Sequence, residues 1–586
     1  MSRIARVVVD VTGVNKPFDY LIPDSLSPSV RVGSRVRVPL HRREVPGWVL
    51  RVLQPDESDV GTEKLLPLAK VTSLGPSGEV VSLIEWASVR WVSRLRPFFV
   101  SASPAVRVPR LVAPRRTPAR DGQAVDDRDP VESAPGLAAL FQASGGLADC
   151  APGWSPTPLI EAAASRGPVL VVVPTVARAG RLAAALRRSG LSTAVYPEDW
   201  AAAASGVDVV VGARSAVWAT VPDLGSIVVV DEHDDTLQEE RAPTWHARDV
   251  AIERARRLAI PCVLTSPVAT ITAREWAGDN VVAVGAPPRW PRVQVVDRNA
   301  DEQWASSLVT SALIELLRDQ SKRVVCVLNV KGRARAVVCA ACRAVARCEV
   351  CDAAVAQPDE QRLSCPRCGA HRPVVCLSCG SQKMRAVRIG ISRLRDELEA
   401  AAGRIVQEIK PATPSLDHRA NVFVGTEAVL HRIDRADAVV FLDIDSELLA
   451  PRFRSSEQAL DLIAHGARIV APTRDSPGGL LVLQTAVPNH EVIAGIAAGD
   501  LSAHVAAETQ RRKRLRLPPF GALAEVSGAG TAAVVDHLSA SLLVEVAAAD
   551  GRALVRAATW EALSEALVAA PRGKERARIA VDPARA

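Results

Sequence analysis

The chain has 586 residues, 48% of them hydrophobic and only 4% aromatic, and carries a net charge of +7. That length suits three to five globular domains with real cores, and the composition reads as soluble. No apolar run approaches a membrane span, since the longest, near Pro168–Ala177, is interrupted by Pro174; the start "MSRIARVVVDVTG" is too short an apolar run for a signal peptide and contains Asp10, so a cytoplasmic protein is expected.

Residues 1–108 read as mostly β. Alternation such as "VRVGSRVRVPL" (30–40) has period two, with Gly33-Ser34 as the turn. Residues 109–135 hold five prolines and mixed charge without periodicity, and read as a linker. From about 136 the pattern becomes α/β. Buried-strand runs at 168–174, 207–212, 226–231 and 260–266 alternate with Ala- and Arg-rich helical segments, which implies a parallel sheet covered by helices. A second set follows at 322–330, 420–426, 437–445 and 467–473, with a cysteine block inserted after its first strand. From about 485 a smaller α+β unit is expected. The domains expected are thus 1–108, the linker 109–135, one lobe 136–295, a second lobe 296–484 with an insertion 333–385, and 485–586.

Eight of the eleven cysteines fall between Cys339 and Cys379, as four CxxC pairs: Cys339/Cys342, Cys348/Cys351, Cys365/Cys368 and Cys376/Cys379. Without a secretory signal, such crowding argues for metal rather than disulfides. Each CxxC turn presents two thiolates, and two turns complete a tetrahedral Zn²⁺ site, so eight thiolates suit two zinc ions. Keeping each CxxC as a unit leaves three pairings. The 13-residue gap between Cys351 and Cys365 suits a hairpin, which favours nesting: Cys339/Cys342/Cys376/Cys379 outside, Cys348/Cys351/Cys365/Cys368 inside. From Lys331 to Arg385 there are ten Lys/Arg and four Asp/Glu; two Cys₄ centres of formal charge −2 would cut that surplus of six to about two. Protein contact is then as plausible for this module as DNA contact.

The stretch "SIVVVDEHDD" (226–235) ends an apolar strand in acid, as the magnesium-binding strand of a nucleoside-triphosphate motor does. There the first acid orients Mg²⁺ and the second polarises the attacking water, roles for which Asp231 and Glu232 are placed. The partner of such a strand is a phosphate cradle, G-x-x-x-x-G-K-[ST], whose N–H groups and lysine neutralise phosphate. No Gly-Lys-Ser/Thr occurs, and the one Gly-Lys pair, Gly573-Lys574, precedes Glu575. Where the cradle belongs, "FQASGGLADCAPGW" (141–154) has glycines but neither the lysine nor the hydroxyl after it. Loss of tight ATP/Mg²⁺ binding is therefore expected, with Asp231 and Glu232 vestigial. The bland alternative for the acid pair is a solvated strand end.

Several motifs together resemble the PriA family, primosomal protein N′ of bacterial replication restart, along nearly the whole chain. "KPFDYLIP" (16–23) and "GSRVRVPL" (33–40) are similar to its 3′-end-binding domain; "VGARSAVW" (211–218), "VVVDEHDD" and "WHARDVAIERA" (245–255) to its first helicase lobe. The four CxxC pairs resemble its binuclear zinc insertion. "FLDIDSELLAPRFRSSEQ" (441–458), "RKRLRLPPFG" (512–521) and "IAVDP" (579–583) resemble its second lobe and C-terminal domain. The resemblance implies two RecA-like lobes with a Cys₄ zinc insertion, after a small β-rich DNA-binding domain and before an α+β C-terminal domain. The departures cluster in the motor. The glycine-lysine-threonine cradle is gone, D-E-x-H has become D-E-H-D, and "TSPVATI" (265–271) is only loosely G-S-A-T-P. "LIAHGARIVAP" (462–472) keeps Gly466 and Arg468 without the arginine pair of Q-x-x-G-R-A-G-R, "VLNVKGR" (327–333) lacks the aromatic of F-L-N-R-R-G, and the winged helix is reduced to the linker or absent.

Carried over by the resemblance, Phe18, Asp19, Tyr20, Gly33 and Lys70 form the DNA 3′-end site: the carboxylate accepts the terminal hydroxyl, aromatic faces stack a base, and lysine meets phosphate. Arg214 and Arg454 are candidates for phosphate contact or for structural use, and "RRKRLR" (511–516) is expected to end a helix before Pro518-Pro519. The function implied is recognition of stalled or branched forks, primosome assembly and loading of the replicative helicase, without helicase activity of its own. The alternative is an active ATP-dependent 3′→5′ DNA helicase with an unconventional nucleotide site. The partners implied are forked DNA with a 3′ end, primosome proteins, the replicative helicase and its loader, and single-strand DNA-binding protein, in a nucleoid-associated setting.

Overall fold

The computed structural model describes residues 3–585 apart from 15, 117–136, 143, 285–289, 301–307, 329–336, 343, 351–352, 360, 366–368, 387–390, 411, 473–477, 550 and 572–574. The chain divides into two compact units: Met1–Asp149, Ser155–Ala283 and Arg512–Ala584 form one, and Cys150–Trp154 with Val284–Arg511 and the last two residues form the other. Among the described residues no helix is long and apolar enough to cross a membrane.

The first unit opens with β1 (Arg3–Val9), β2 (Phe18–Ile22), β3 (Arg35–Leu40), β4 (Arg43–Leu53) and β5 (Lys70–Ser73), in sheet order β2-β1-β4-β3-β5. Period-two alternation turns Val7, Val9, Val36, Val38 and Val49 into one apolar face. The segment before β5 returns to the far edge, where Leu21 N–H bonds Leu66 O at 3.0 Å and Leu68 N–H bonds Leu21 O at 2.9 Å. The sheet thus closes on itself and leaves little exposed edge. Residues 1–108 are less purely β than their sequence suggests, because Gly78–Arg90 and Arg96–Ala102 are helices. Ser77 caps the first of these, and Val80, Val81, Ile84 and Ala87 line its buried side. Residues 109–116 form no helix or strand; the rest of the expected linker lies outside the described residues.

The parallel lobe of this unit contains β6 (Gly145–Cys150), β7 (Val169–Val172), β8 (Thr193–Tyr196), β9 (Val209–Gly212), β10 (Ser226–Val230), β11 (Cys262–Ser266) and β12 (Val281–Val284), in order β12-β6-β11-β10-β7-β9-β8. The N-terminal helices, this sheet and the C-terminal fold share one continuous apolar core. Arg254, fully buried in the helix Ala247–Leu258, clamps Glu79 by two hydrogen bonds of 3.1 and 2.8 Å.

The second unit has its own parallel sheet, built from β13 (Arg292–Asp297), β14 (Val324–Val327), β19 (Val406–Ile409), β20 (Val422–Gly425), β21 (Ala438–Phe441) and β22 (Leu480–Thr485), in order β13-β22-β21-β14-β20-β19. Between β14 and β19 lie β15 (Val337–Cys339), β16 (Arg362–Ser364), β17 (His371–Pro373) and β18 (Met384–Ala386), paired antiparallel as β15-β18 and β16-β17. Two expectations need correction. The described part of the apolar run 467–473, residues 467–472, is no strand: its first three residues end the helix Ser455–Ile469, and the last strand of this sheet is β22. The lobe boundary precedes 296, because β13 already pairs with β22 from Arg292.

The C-terminal fold is an antiparallel sheet of β23 (Ala522–Ser527), β24 (Val544–Ala549), β25 (Arg552–Ala557) and β26 (Arg578–Val581), in order β24-β25-β23-β26, with the helices Thr531–Ser539 and Trp560–Ala569. It is α+β as expected but starts later than 485, since residues up to Arg511 pack with the second unit.

Candidate functional site

Three places can bear chemistry. The first is the outer face of the N-terminal sheet, where antiparallel pairing sets Arg6 opposite Asp19. Arg6 donates Nε to Asp19 Oδ1 at 2.8 Å and Nη2 to Oδ2 at 2.9 Å, a bidentate pair. Ser58 adds its hydroxyl to Oδ2 at 2.8 Å. The Arg6 bonds, helped by Ser58 and opposed by burial, hold the Asp19 carboxyl below its ordinary range. Asp19 is therefore an ionised acceptor on a fixed mount, with 6% of its side chain still exposed. Phe18 beside it is half-buried, and the Lys16 ammonium lies 5.4 Å from its ring centroid.

Tyr20 and Gly33 have other work here. Tyr20 is 4% exposed, packs in the sheet core and donates its hydroxyl to Pro39 O at 3.1 Å, so it presents no face for a base to stack on. Gly33 has φ +84°, and a Cβ there would stand 1.8 Å from Pro76 O; sterics alone demand glycine. Lys70 is exposed on β5, paired in register with Arg37.

The second place is the carboxyl end of β10, where open parallel sheets bind ligands. Asp231 is buried with a left-handed backbone (φ +53°) and forms an ion pair with Arg178 from the helix Val176–Arg188. Glu232 is wholly buried. It accepts from Arg248 Nη1 at 3.0 Å, Thr270 N–H at 2.8 Å and the Thr270 hydroxyl at 2.9 Å. Burial pushes the Glu232 carboxyl up, with Arg248 and Thr270 opposing. His233 Nδ1 meets the Ser266 hydroxyl at 2.8 Å, and Asp234 accepts from Thr236 N–H at 2.9 Å. A solvated strand end is thus excluded.

After β6 the sequence runs through "APGWSP" into the helix Thr157–Ala164, which begins without a side-chain cap. Pro152, Pro156 and Pro158 have no N–H to donate, and no lysine is present. With the cradle's donors missing and both acids bonded to the protein's own arginines, the residues present do not fit a magnesium-bound nucleotide.

The third place is the cysteine module. The thiols of Cys339, Cys342, Cys376 and Cys379 lie within 4.8 Å of one another. Cys339 and Cys379 are 3.6 Å apart, Cys342 and Cys376 3.5 Å. A tetrahedron of Zn–S bonds of about 2.3 Å has sulfur–sulfur edges of about 3.8 Å, so these two separations are close to those of a zinc site. Against burial, the backbone N–H groups of Cys342 and Ala341, with the Cys379 thiol, lower the Cys339 thiol. One backbone hydrogen bond recurs at all four motifs. The N–H of the first cysteine bonds the carbonyl five residues on: Cys339 to Ala344 at 3.0 Å, Cys348 to Ala353 at 2.9 Å, Cys365 to Ala370 and Cys376 to Ser381 at 2.8 Å each. Cys348 and Cys365 share a small apolar core; Cys351 and Cys368 lie outside the described residues.

The arginines singled out in sequence have intramolecular bonds. Arg214 donates Nη1 to Thr236 O and Gln238 O at 2.8 and 2.7 Å and Nη2 to Glu239 at 2.7 Å, while Arg454 lies over the Phe453 ring, 4.8 Å from its centroid, with Glu457 4.0 Å away. The helix Ser502–Leu515 ends before Pro518-Pro519; Arg512 is buried, and Lys513 and Arg514 are exposed. Sequence reasoning missed Arg6, Ser58, Arg178 and Arg248. For Arg6 the signal was a charged residue opposite "FDY" in strand alternation; for Arg178 and Arg248, only the demand that a buried carboxylate find a cation; for Ser58 there was none.

Residues 6–104 match the family model of the PriA 3′DNA-binding domain. The replication restart protein PriA of Bacillus subtilis is 28% identical over 372 residues, which cover 58% of this chain and 46% of that protein. PriA of Rickettsia conorii is 24% identical across 91% of this chain and 88% of its own length. The probable replication restart protein PriA of Mycobacterium leprae is 27% identical across 92% and 89%.

Proposed function

This chain is a homologue of the PriA replication restart proteins over most of its length, and we propose that it serves replication restart as a fork-recognising platform without a motor. In this reading residues 6–104 hold the 3′ end of a nascent strand at a branched fork. The remainder docks the partners that reassemble a primosome and reload the replicative helicase.

The observation that carries the reading is Asp19, fixed and ionised by Arg6 beside a half-exposed Phe18. An ionised carboxylate only accepts hydrogen bonds, so it receives the donor of a 3′-hydroxyl and repels a 3′-phosphate; attraction and repulsion together give end specificity. Phe18 offers a ring for the terminal base, with Lys16 and Lys70 as cations toward the backbone. The cysteine module would hold two structural zinc ions, the outer four thiols one and Cys348, Cys351, Cys365 and Cys368 the other. Zinc supplies cross-links there and no chemistry.

The test is fluorescence anisotropy with forks ending in a 3′-hydroxyl or a 3′-phosphate, at fixed salt. The wild type is expected to prefer the hydroxyl, and Asp19→Ala to lose about 10- to 100-fold of that preference, the worth of a charge-assisted bond. Equal wild-type affinity for both ends would overturn the assignment. Steady-state ATP hydrolysis tests the motorless half: turnover should stay at the level of Asp231→Ala with or without fork. Fork-stimulated turnover lost in that variant would favour an active helicase instead.

A further inference from the structure

We propose that Arg178 is a built-in counter-ion, standing permanently against Asp231 where a motor would present that acid to magnesium. The first unit's parallel lobe is thereby locked as a metal-independent support. The inference rests on the motorless reading above and says what replaced the motor.

The argument is one of charge. Asp231 is buried, and a buried carboxylate needs a cation. A motor meets that need with an exchangeable metal and nucleotide. Here the cation is a guanidinium carried on the helix Val176–Arg188, whose Thr175 cap accepts from Arg178 N–H at 3.2 Å. A guanidinium stays protonated at any working pH, so its charge is not removed by titration. Magnesium approaching Asp231 would meet that fixed positive charge in a poorly solvated place, where like charges repel strongly. Glu232 is matched in the same manner: Arg248, itself buried, donates Nη1 to Glu232 and Nε to Asp249, both at 3.0 Å.

The loop after the acids is tied down on its other side. Gln238 Nε2 donates to Asp582 O and Thr244 Oγ1 to Val581 O, each at 2.6 Å. The acid loop of the lobe and the last strand of the C-terminal sheet therefore form one fixed assembly. A motor needs this loop to respond to nucleotide; here these hydrogen bonds hold it still. Asp231 and Glu232 are then struts of the platform that carries the DNA-binding face, and Arg178 is a positioning residue for that platform.

Hydrogen exchange of the full-length, zinc-replete chain tests the proposal, read over 176–188 and 226–240 with and without millimolar Mg²⁺ and Mg·ATP. The wild type should show no protection by either. Arg178→Ala should exchange at least about tenfold faster in both segments, a loss of about 1.4 kcal/mol or more. It should also gain protection from Mg²⁺, because the guanidinium charge that opposes the metal is then gone. Arg178→Ala/Asp231→Ala should recover most of the lost protection, since the carboxylate that lost its guanidinium is removed as well. If the single variant does not fold, folding of the double variant decides in favour. Three results overturn the proposal: Arg178→Ala exchanging like the wild type, a double variant no better than the single, or wild type protected by Mg·ATP. Fork-stimulated hydrolysis by the wild type would sink the motorless reading itself. A wild type without hydrolysis beside a silent Arg178→Ala removes the counter-ion alone.

Discussion

Arg254→Met tests whether the DNA-binding domain and the parallel lobe are mechanically one body. Arg254 is fully buried, gives two N–H groups to Glu79 and a third to Val217 O at 2.8 Å. Glu79 sits in the first turn of the helix Gly78–Arg90, so the pair ties the end of the DNA-binding domain to the lobe. Breaking a fully buried pair costs about 3–5 kcal/mol. Glu79 keeps 30% of its side chain exposed and can recover water, which cuts that to about 2 kcal/mol. The Val217 carbonyl left without its donor adds about 1 kcal/mol, while methionine refills most of the space. A loss of about 2–3 kcal/mol corresponds to roughly 30- to 150-fold faster hydrogen exchange across 78–90, if exchange there proceeds by undocking of the helix. Glu79→Gln should cost as much or more, because it leaves the buried guanidinium facing a neutral partner. A change below about 0.5 kcal/mol in both variants would refute the reasoning, and the shared core would have to hold the domain without the clamp.

Chelation of zinc should accelerate exchange throughout 337–386 and release two ions per chain by metal analysis, leaving the first unit protected; one ion would restrict the metal to the outer thiols, and none with free thiols would overturn the centre. Gly33→Ala should lower the unfolding midpoint by the equivalent of about 1–3 kcal/mol, since both φ +84° and the contact with Pro76 O must give way; fork affinity should fall with stability, and an intact midpoint with lost affinity would return Gly33 to the DNA contact set. Glu491 is brought to about 2 by the hydrogen bond with His504 at 3.0 Å, then by Arg511, against burial. A depressed carboxylate contributes stability above its unfolded value of 4.5 and loses it as pH falls toward about 2, so Glu491→Gln should flatten that acid limb of the denaturation profile; an unchanged limb refutes it.

Much of the fold was legible because parallel strands buried on both faces are continuous apolar runs, as at 226–230 and 262–266. The same rule misled at 467–473. Ser455–Ile469 is a helix buried on nearly every side, and its apolar end cannot be told from a strand without the turns before it. The helix Gly78–Arg90 escaped notice inside a β-rich stretch although Ser77 and Glu79 mark its start. The outer cysteine cluster was legible from spacing, because a CxxC motif keeps two thiols together locally. Ion-pair partners were not, because they depend on register and packing: Arg6 meets Asp19 only through strand pairing, and Arg178 meets Asp231 across 53 residues of chain.

That blind spot decides how the proposed motorless reading is understood. Deleting a cradle lysine removes the cation that accompanies phosphate, and sequence alone predicts idle acids free to drift. The structure instead gives each acid an arginine: Arg178 to Asp231 and Arg248 to Glu232. Idle residues tolerate replacement, whereas paired buried charges do not. Asp231→Ala, a harmless control for a relic, should therefore destabilise the lobe by about 3 kcal/mol, because it leaves a mostly buried guanidinium without its carboxylate. Urea unfolding of the full chain reads this directly. A variant as stable as wild type would mean that Asp231 is a relic after all, and that Arg178 finds water or another acceptor at no cost.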